Sequence, residues 1–311
     1  MANNNRALGH IVAFLTVAVW GSTFVFTKLL LLSGLSAAQI FTLRFIIAYV
    51  SLLLFSLSRK SHRWFADTWR DELLMIGLGL AGGSIYFLTE NEAMNYTTTT
   101  NTSLIVCLCP LFASALIGAV YKTERLKPLQ LLGTLLASIG VIVVVLNGRF
   151  VLHLSPVGDS LALAACLSWA VYSLLMIPAN RRYDVVFITR KVFFYGLLSM
   201  IPYYLVFPDT CSNLPEYFSK AFSDGSEIGL SIVANLLFLG FIASMLCFVA
   251  WNWAMKQIGA VTATNYVYIN PVTTIVFAWL ILSEHITVFF LIGTVLILFG
   301  MYLADRKNKK N

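Results

Sequence analysis

Charge is what this chain has least of. Asp, Glu, Lys and Arg make up only 11% of its residues, less than half the quarter usual in soluble domains. A water-facing globular surface cannot be built from so few. The apolar share is 59%, and no soluble domain of this length has the interior to hide it. The bilayer must therefore be the solvent for most of the chain. Histidine is scarce too. His10, His62, His153 and His285 are dispersed, so the convergent His, Asp or Ser constellation of a membrane-embedded enzyme is missing, and no catalytic residue is assigned. Of the 5 cysteines, Cys107, Cys109, Cys166 and Cys247 sit inside apolar runs and Cys211 in a polar loop. That pattern is neither a disulfide framework nor a metal-ligand set. The chain also lacks a phosphate-cradling Gly loop and a nucleotide-hydrolysis motif, so an ATP-driven pump has no support and no cofactor is implied. The net charge of +7 would suggest nucleic acid in a soluble protein. Here cytoplasmic loops rich in Lys and Arg explain it, and no nucleic-acid partner is expected.

What the chain does have is long apolar runs. A spanning helix needs roughly 20 mainly apolar residues, and about ten such runs consume most of the sequence. They fall at Gly9–Leu32, Ala37–Leu57, Leu73–Asn95, Thr98–Tyr121 and Pro128–Leu146, then at Gly158–Ala179, Val185–Phe207, Ile228–Met255, Val261–Leu282 and Val288–Leu303. The first continues to Leu32 with no small-residue cleavage site, which reads as a span rather than a signal peptide. A nine-span count competes, and basic residues decide between the two. With the N-terminus inside, fifteen Lys and Arg fall on the inner side and only Arg149 and Lys220 on the outer. This bias supports ten spans, both termini cytoplasmic, in the cytoplasmic membrane.

The chain writes one plan twice. Leu104–Gly140 and Tyr266–Gly300 match through Pro110 and Pro271, Glu124 and Glu284, Gly133-Thr134 and Gly293-Thr294, and Gly140 and Gly300. The match extends backwards. Gly9 and Trp20 are spaced like Gly158 and Trp169; Phe41, Arg44 and Tyr49 like Phe187, Arg190 and Tyr195; Asn91-Glu92-Ala93-Met94 answers Asn252-Trp253-Ala254-Met255. Spans one to five, residues 1–150, thus echo spans six to ten, residues 151–311. Five is odd, so the second copy enters from the opposite side. Inverted repeats are the structural basis of alternating access.

WGSTFVFTKL in span one, WNWAMKQIGAVTATNYVYINPVTTIVFAWLILSEHIT across spans eight and nine, and the twin G-T-x-L-x-x-x-G helices resemble the EamA group of the drug/metabolite transporter superfamily. The resemblance covers nearly the whole chain. It implies an all-α polytopic membrane protein of ten helices, arranged as two inverted five-helix repeats. Their central cavity would be lined mainly by spans one, three, four, six, eight and nine. It implies transport of small metabolites, often amino acids, and the expected function is a bacterial secondary exporter of such solutes. A phosphorylated-solute or nucleotide-sugar exchanger is the alternative within transport, and it would want several cations at the cavity midplane.

Polar side chains are costly in lipid and tend to face a cavity or another helix. In span one, Thr16, Trp20, Thr23 and Thr27 form one stripe. Span three offers Tyr86, Thr89 and Glu90; span four offers Ser103; span six offers Trp169, Tyr172 and Ser173; span nine offers Asn265, Tyr266 and Asn270. Together, Trp20, Thr23, Thr27, Tyr86, Glu90, Ser103, Trp169, Tyr172, Asn265, Tyr266 and Asn270 are the candidate substrate-binding set. Aromatic faces suit the apolar part of an amphipathic solute, and amides and hydroxyls its polar part. Helix packing is the competing account of each Thr and Ser. Arg44 and Arg190, at matching places near span ends, read as structural groups that snorkel to water. Lys191 reads the same way, and Lys28 as an anchor of span one. Glu124 and Glu284 read as acids facing helix N-termini. Gly133, Gly140, Gly293 and Gly300 read as close-packing faces, which leaves a contact between two copies of the chain open.

The topology has a direct check. Cys211 should react with an impermeant thiol reagent added to intact cells; reaction only after permeabilisation would refute ten spans with an inner N-terminus.

Overall fold

The computed structural model describes residues 2–58, 63–97, 99–121, 127–146, 155–208, 210, 214–223, 226–273, 276 and 287–305. Glu124, Glu284, Cys211 and the junction between 150 and 151 lie outside them, as does the side chain of Ser103. Every regular element among the described residues is helical. The chain is a polytopic bundle of ten spans in two inverted five-helix repeats. Among the described residues, seven helices are long and apolar enough to cross a membrane: Asn5–Leu32, Ala37–Leu57, Trp69–Tyr96, Pro128–Leu146, Pro156–Arg182, Val185–Val206 and Glu227–Ile258. These are spans one, two, three, five, six, seven and eight. Span four is split into Thr99–Val106 and Cys109–Val120. Span nine begins as Ala260–Asn265 and tightens into a 3-10 turn at Tyr266–Ile269. Span ten is Val288–Asp305.

Local chemistry sets the ends. Ser36 and Gln39 close a reciprocal capping box at the start of span two. Thr68, Ser155 and Asp184 accept backbone N–H bonds at the starts of spans three, six and seven. Gly259, at φ +90°, turns span eight into span nine in a conformation that side chains with a Cβ rarely adopt.

Lipid offers no hydrophobic force between helices, so close backbone approach by small residues holds them. Spans five and ten show this most fully. A Cβ on Gly133 would lie 2.4 Å from the Ala304 backbone nitrogen, and one on Gly140 would lie 2.7 Å from that of Ile297. Gly293 and Gly300 meet the backbone of span five in return. These faces, which the sequence left open for a second copy, are therefore used within the chain. The remaining spans form the core: three packs on six, one on eight, and two on seven and eight.

Two spans carry wide π-helical turns, Leu80–Ser84 in span three and Phe238–Leu246 in span eight. The Asn91 to Met94 and Asn252 to Met255 match puts these turns at equivalent places in the two repeats. Gly83 inside the first has φ −113° and ψ −105°, outside the helical region. The breaks before Pro110 and Pro271, in spans four and nine, are equivalent too.

The stretch Pro208–Glu227, expected to be a loop, contains a helix at Leu214–Ser223. Leu214, Tyr217, Phe218 and Ala221 form one apolar face and pack on Leu30, Leu35 and Leu236. Tyr217 also meets the Ser33 hydroxyl at 2.7 Å.

A leucine at Gly300 should lower the thermal midpoint by more than an alanine at Gly77, whose Cβ would meet only the tip of Leu175 at 3.1 Å. Overpacking of this kind costs about 1–3 kcal/mol. Equal midpoints in detergent would contradict the tight contact of spans five and ten.

Candidate functional site

Between the two repeats lies a cavity lined by Trp20, Thr23, Phe24, Arg44, Tyr86, Phe87, Glu90, Val106, Cys109, Trp169, Phe248, Val267 and Asn270. It is narrow. Of about 470 Å³ not filled by atoms, about 30 Å³ admits the centre of a water molecule, room for roughly two waters.

The walls are aromatic. Trp169 lies 5.6 Å from Trp20 and 4.9 Å from Tyr86 between ring centroids. Phe248 closes the floor against Trp20 at 5.6 Å and against Trp169 at 6.2 Å. The Trp20 indole donates to the Ala243 carbonyl at 2.9 Å, which fixes its ring to span eight. The Trp169 Nε1 is buried and has no acceptor among the described residues. A buried donor of that kind is costly unless something fills its place.

Two charged groups face this apolar box. Glu90 is buried and accepts a hydrogen bond from the Tyr86 hydroxyl at 2.6 Å. Arg44 is 2% exposed. Its Nε donates to Ser244 Oγ at 3.0 Å, and its guanidinium lies 4.4 Å from the centre of the Phe87 ring. The ion pairs among the described residues do not join Arg44 to Glu90. Arg44 thus borders the cavity, where the sequence suggested a structural group. Its symmetry with Arg190 suggested a group reaching for water, whereas the structure turns it inward. Cys109 and the aromatic residues Phe87 and Phe248 were missed. Their signal was present, because Phe87 and Phe248 occupy equivalent positions in the two repeats.

Trp20, Thr23, Tyr86, Glu90, Trp169 and Asn270 come together as expected. Thr27, Tyr172, Asn265 and Tyr266 do not border the cavity. Thr27 is buried, and Tyr266 bonds through its hydroxyl to His10 Nδ1 at 2.9 Å. Asn265 is buried in span nine below the cavity, one residue before the 3-10 turn. Tyr172 seals one side. Its hydroxyl donates to Asn252 Oδ1 at 2.5 Å, and the Asn252 amide donates to Thr189 Oγ1 at 3.0 Å. This chain of fully buried groups joins spans six, eight and seven between the cavity and the end of the bundle where span one begins. We call that the basic end, since Arg63, Arg70, Arg181, Arg182 and Lys256 lie there.

At the basic end, Arg182 Nη1 pairs with Asp71 Oδ1 at 2.5 Å, and the Tyr183 hydroxyl donates to Asp71 Oδ2 at 3.0 Å. Glu72 accepts from Lys191 and from the Tyr195 hydroxyl. Lys191 therefore does not snorkel to water; it is buried and paired. At the opposite end Lys28 donates to the Met94 carbonyl at 2.9 Å, binding span one to span three.

Ten helices in two inverted halves around a narrow central cavity define a polytopic membrane transport protein. The chain matches the EamA-like transporter family twice, over residues 7–146 and 156–304, and belongs to that family. It is 29% identical over 304 residues to an uncharacterized transporter of Archaeoglobus fulgidus, covering 96% of this chain and 97% of that one. It is 25% identical over 304 residues to a protein of Escherichia coli (strain K12) named "Probable amino-acid metabolite efflux pump", covering 94% and 93%. A protein of Streptantibioticus cattleyicolor named "Probable terminal-alkyne amino-acid exporter" is 24% identical, covering 94% and 92%. A solved crystal structure superimposes with a TM-score of 0.73 at 20% identity, covering 96% and 97% of the two chains, and supports the fold.

Replacing Tyr172 by Phe should leave the buried Asn252 oxygen without its donor, at a cost of about 1–3 kcal/mol. The check is the thermal midpoint of the purified variant; no change would remove this seal.

Proposed function

We propose that the protein is a secondary exporter of amino acids, or of similar small amphipathic metabolites, working by alternating access. The observation that carries this reading is the central cavity, where one carboxylate and one guanidinium face an aromatic box without pairing to each other. A zwitterion between them would present its ammonium to Glu90 and its carboxylate to Arg44. The Trp169 N–H adds a donor, and the rings of Trp20, Tyr86 and Phe248 receive the apolar side chain. Charge-assisted bonds in a dry site outweigh their equivalents in water. The names carried by the Escherichia coli and Streptantibioticus relatives point the same way. A phosphorylated solute fits less well, since Arg44 is the single cation among the described lining residues and Glu90 opposes it.

In this reading the repeats 1–150 and 151–311 rock against each other, and the equivalent wide turns of spans three and eight serve as hinges. The narrow cavity is an occluded form. The protein sits in the cytoplasmic membrane of a bacterium with both termini in the cytoplasm, so the basic end faces inward. Solute would enter there once the Tyr172 to Thr189 seal parts.

Proteoliposomes should accelerate the efflux of some amino acid with saturation. Trp20→Ala, Trp169→Ala, Glu90→Gln and Arg44→Gln should each lower that flux about tenfold or more, as expected for losing a charged or aromatic contact worth roughly 1.4 kcal/mol or more, at unchanged membrane expression. Unaltered flux in all four would remove the cavity assignment. Absence of flux and of ligand stabilisation across a broad metabolite panel would overturn the function.

A further inference from the structure

A second, roomier cavity lies at the basic end, away from the transport site. Tyr49, Trp64, Phe65, Arg190, Lys191, Phe194 and Tyr195 line it, and by the measure that gives about 30 Å³ for the central cavity it holds about 220 Å³. It is walled by span two, by span seven and by Trp64 and Phe65 ahead of span three.

Its charges do not balance. Lys191 is neutralised by Glu72. Arg190 is 3% exposed, and its Nη1 donates to Ser56 Oγ at 2.6 Å. That bond uses one of five guanidinium donors. Arg190 has no carboxylate partner among the described residues, and the nearby acids are engaged elsewhere: Asp67 with Arg63, Asp71 with Arg182, and Glu72 with Lys191. The Trp64 ring, 5.3 Å from the guanidinium carbon, holds the cation over an aromatic face. A buried, oriented arginine beside a phosphate-sized space is costly unless an anion completes it.

The surroundings indicate where the anion comes from. Phe65 and Trp69 are 76% and 72% exposed, and Trp64 is 49% exposed. Aromatic residues of this kind lie at the membrane–water interface. On span two, Val50, next in the chain to the lining Tyr49, and Leu54 one turn further on are exposed apolar residues that would face acyl chains. The opening is therefore at headgroup depth and borders lipid.

We propose that this cavity binds the phosphate group of an anionic phospholipid from the leaflet at the basic end, with Arg190 as its principal ligand. A net charge of one positive unit among the described lining residues and their partners favours a headgroup that is net negative over a zwitterionic one. Binding there would tie the ends of spans two and seven, which belong to different repeats.

The test uses the purified full chain in detergent micelles, with phosphatidylglycerol, phosphatidylcholine or inorganic phosphate added separately. Phosphatidylglycerol should raise the thermal midpoint of the wild type more than phosphatidylcholine does. Arg190→Gln should lose more than half of that rise, and Arg70→Gln, which removes an exposed charge at the same end, should keep it. An equal rise in Arg190→Gln overturns the proposal. A rise with inorganic phosphate that matches phosphatidylglycerol overturns the lipid source. Should Arg190→Gln not fold, native mass spectrometry of the wild type decides. Retention of phosphatidylglycerol over phosphatidylcholine supports the site, and equal retention of both overturns it. None of these readouts depends on the transported solute.

Discussion

A helix in lipid must satisfy its own backbone, because hydrocarbon donates and accepts nothing. Any irregular turn has to be hidden inside the protein. Among the described residues, four of the irregular turns are gathered around one place. The wide turns of spans three and eight and the breaks of spans four and nine all flank the central cavity. The rest of the bundle follows from the need to enclose them. Spans five and ten, regular and joined by glycine faces, form a rigid pair beside this core, while spans two and seven cover the wide turns. The buried polar groups obey the same constraint. Ser168 donates to the Ala81 carbonyl within the wide turn at 2.7 Å, so a freed backbone group is met by a neighbouring span.

The cavity is symmetric in shape and asymmetric in chemistry. Trp20 and Trp169, Phe87 and Phe248, and Val106 and Val267 are equivalent residues of the two repeats, and all six line it. The polar groups break the symmetry. Glu90 is answered by Trp251, Cys109 by Asn270, and Thr23 by Tyr172. Duplication thus accounts for an apolar box on the repeat axis, and later divergence for the charge on one side of it. The two arginines diverged as well. Arg44 turns to the central cavity, and Arg190 to a peripheral one at the other end.

Much of this was legible in the sequence. Apolar runs gave the spans, because lipid imposes a minimum length. Trp20, Glu90 and Trp169, grouped by helical phase, do border one cavity, because phase holds where the helix is regular. Phase failed where the helix is not regular. Tyr266 and Asn270 share a face at 3.6 residues per turn, but Tyr266–Ile269 winds at 3-10 pitch, and Tyr266 turns away to His10. Tyr172 has the phase of Trp169 but lies nearly one turn further on, below the cavity floor. Arg44 was misread because burial of a charge depends on partners two hundred residues away, here Ser244. The helix Leu214–Ser223 carried its signal openly, as apolar residues three and four apart within a stretch too short and polar to count as a span.

The wide turn in span three also divides that span mechanically. Its first part is anchored by Asp71 and Glu72 to spans six and seven. Its second part carries Tyr86, Phe87 and Glu90 into the cavity. A regular helix transmits rotation along its whole length, and a turn with loosened bonds does not. In the proposed alternating-access cycle the lining half would swivel about Gly83, whose backbone leaves the helical region, while the anchored half stays fixed. In that cycle one helix would act as two levers, with the Glu90 carboxylate on the one that turns.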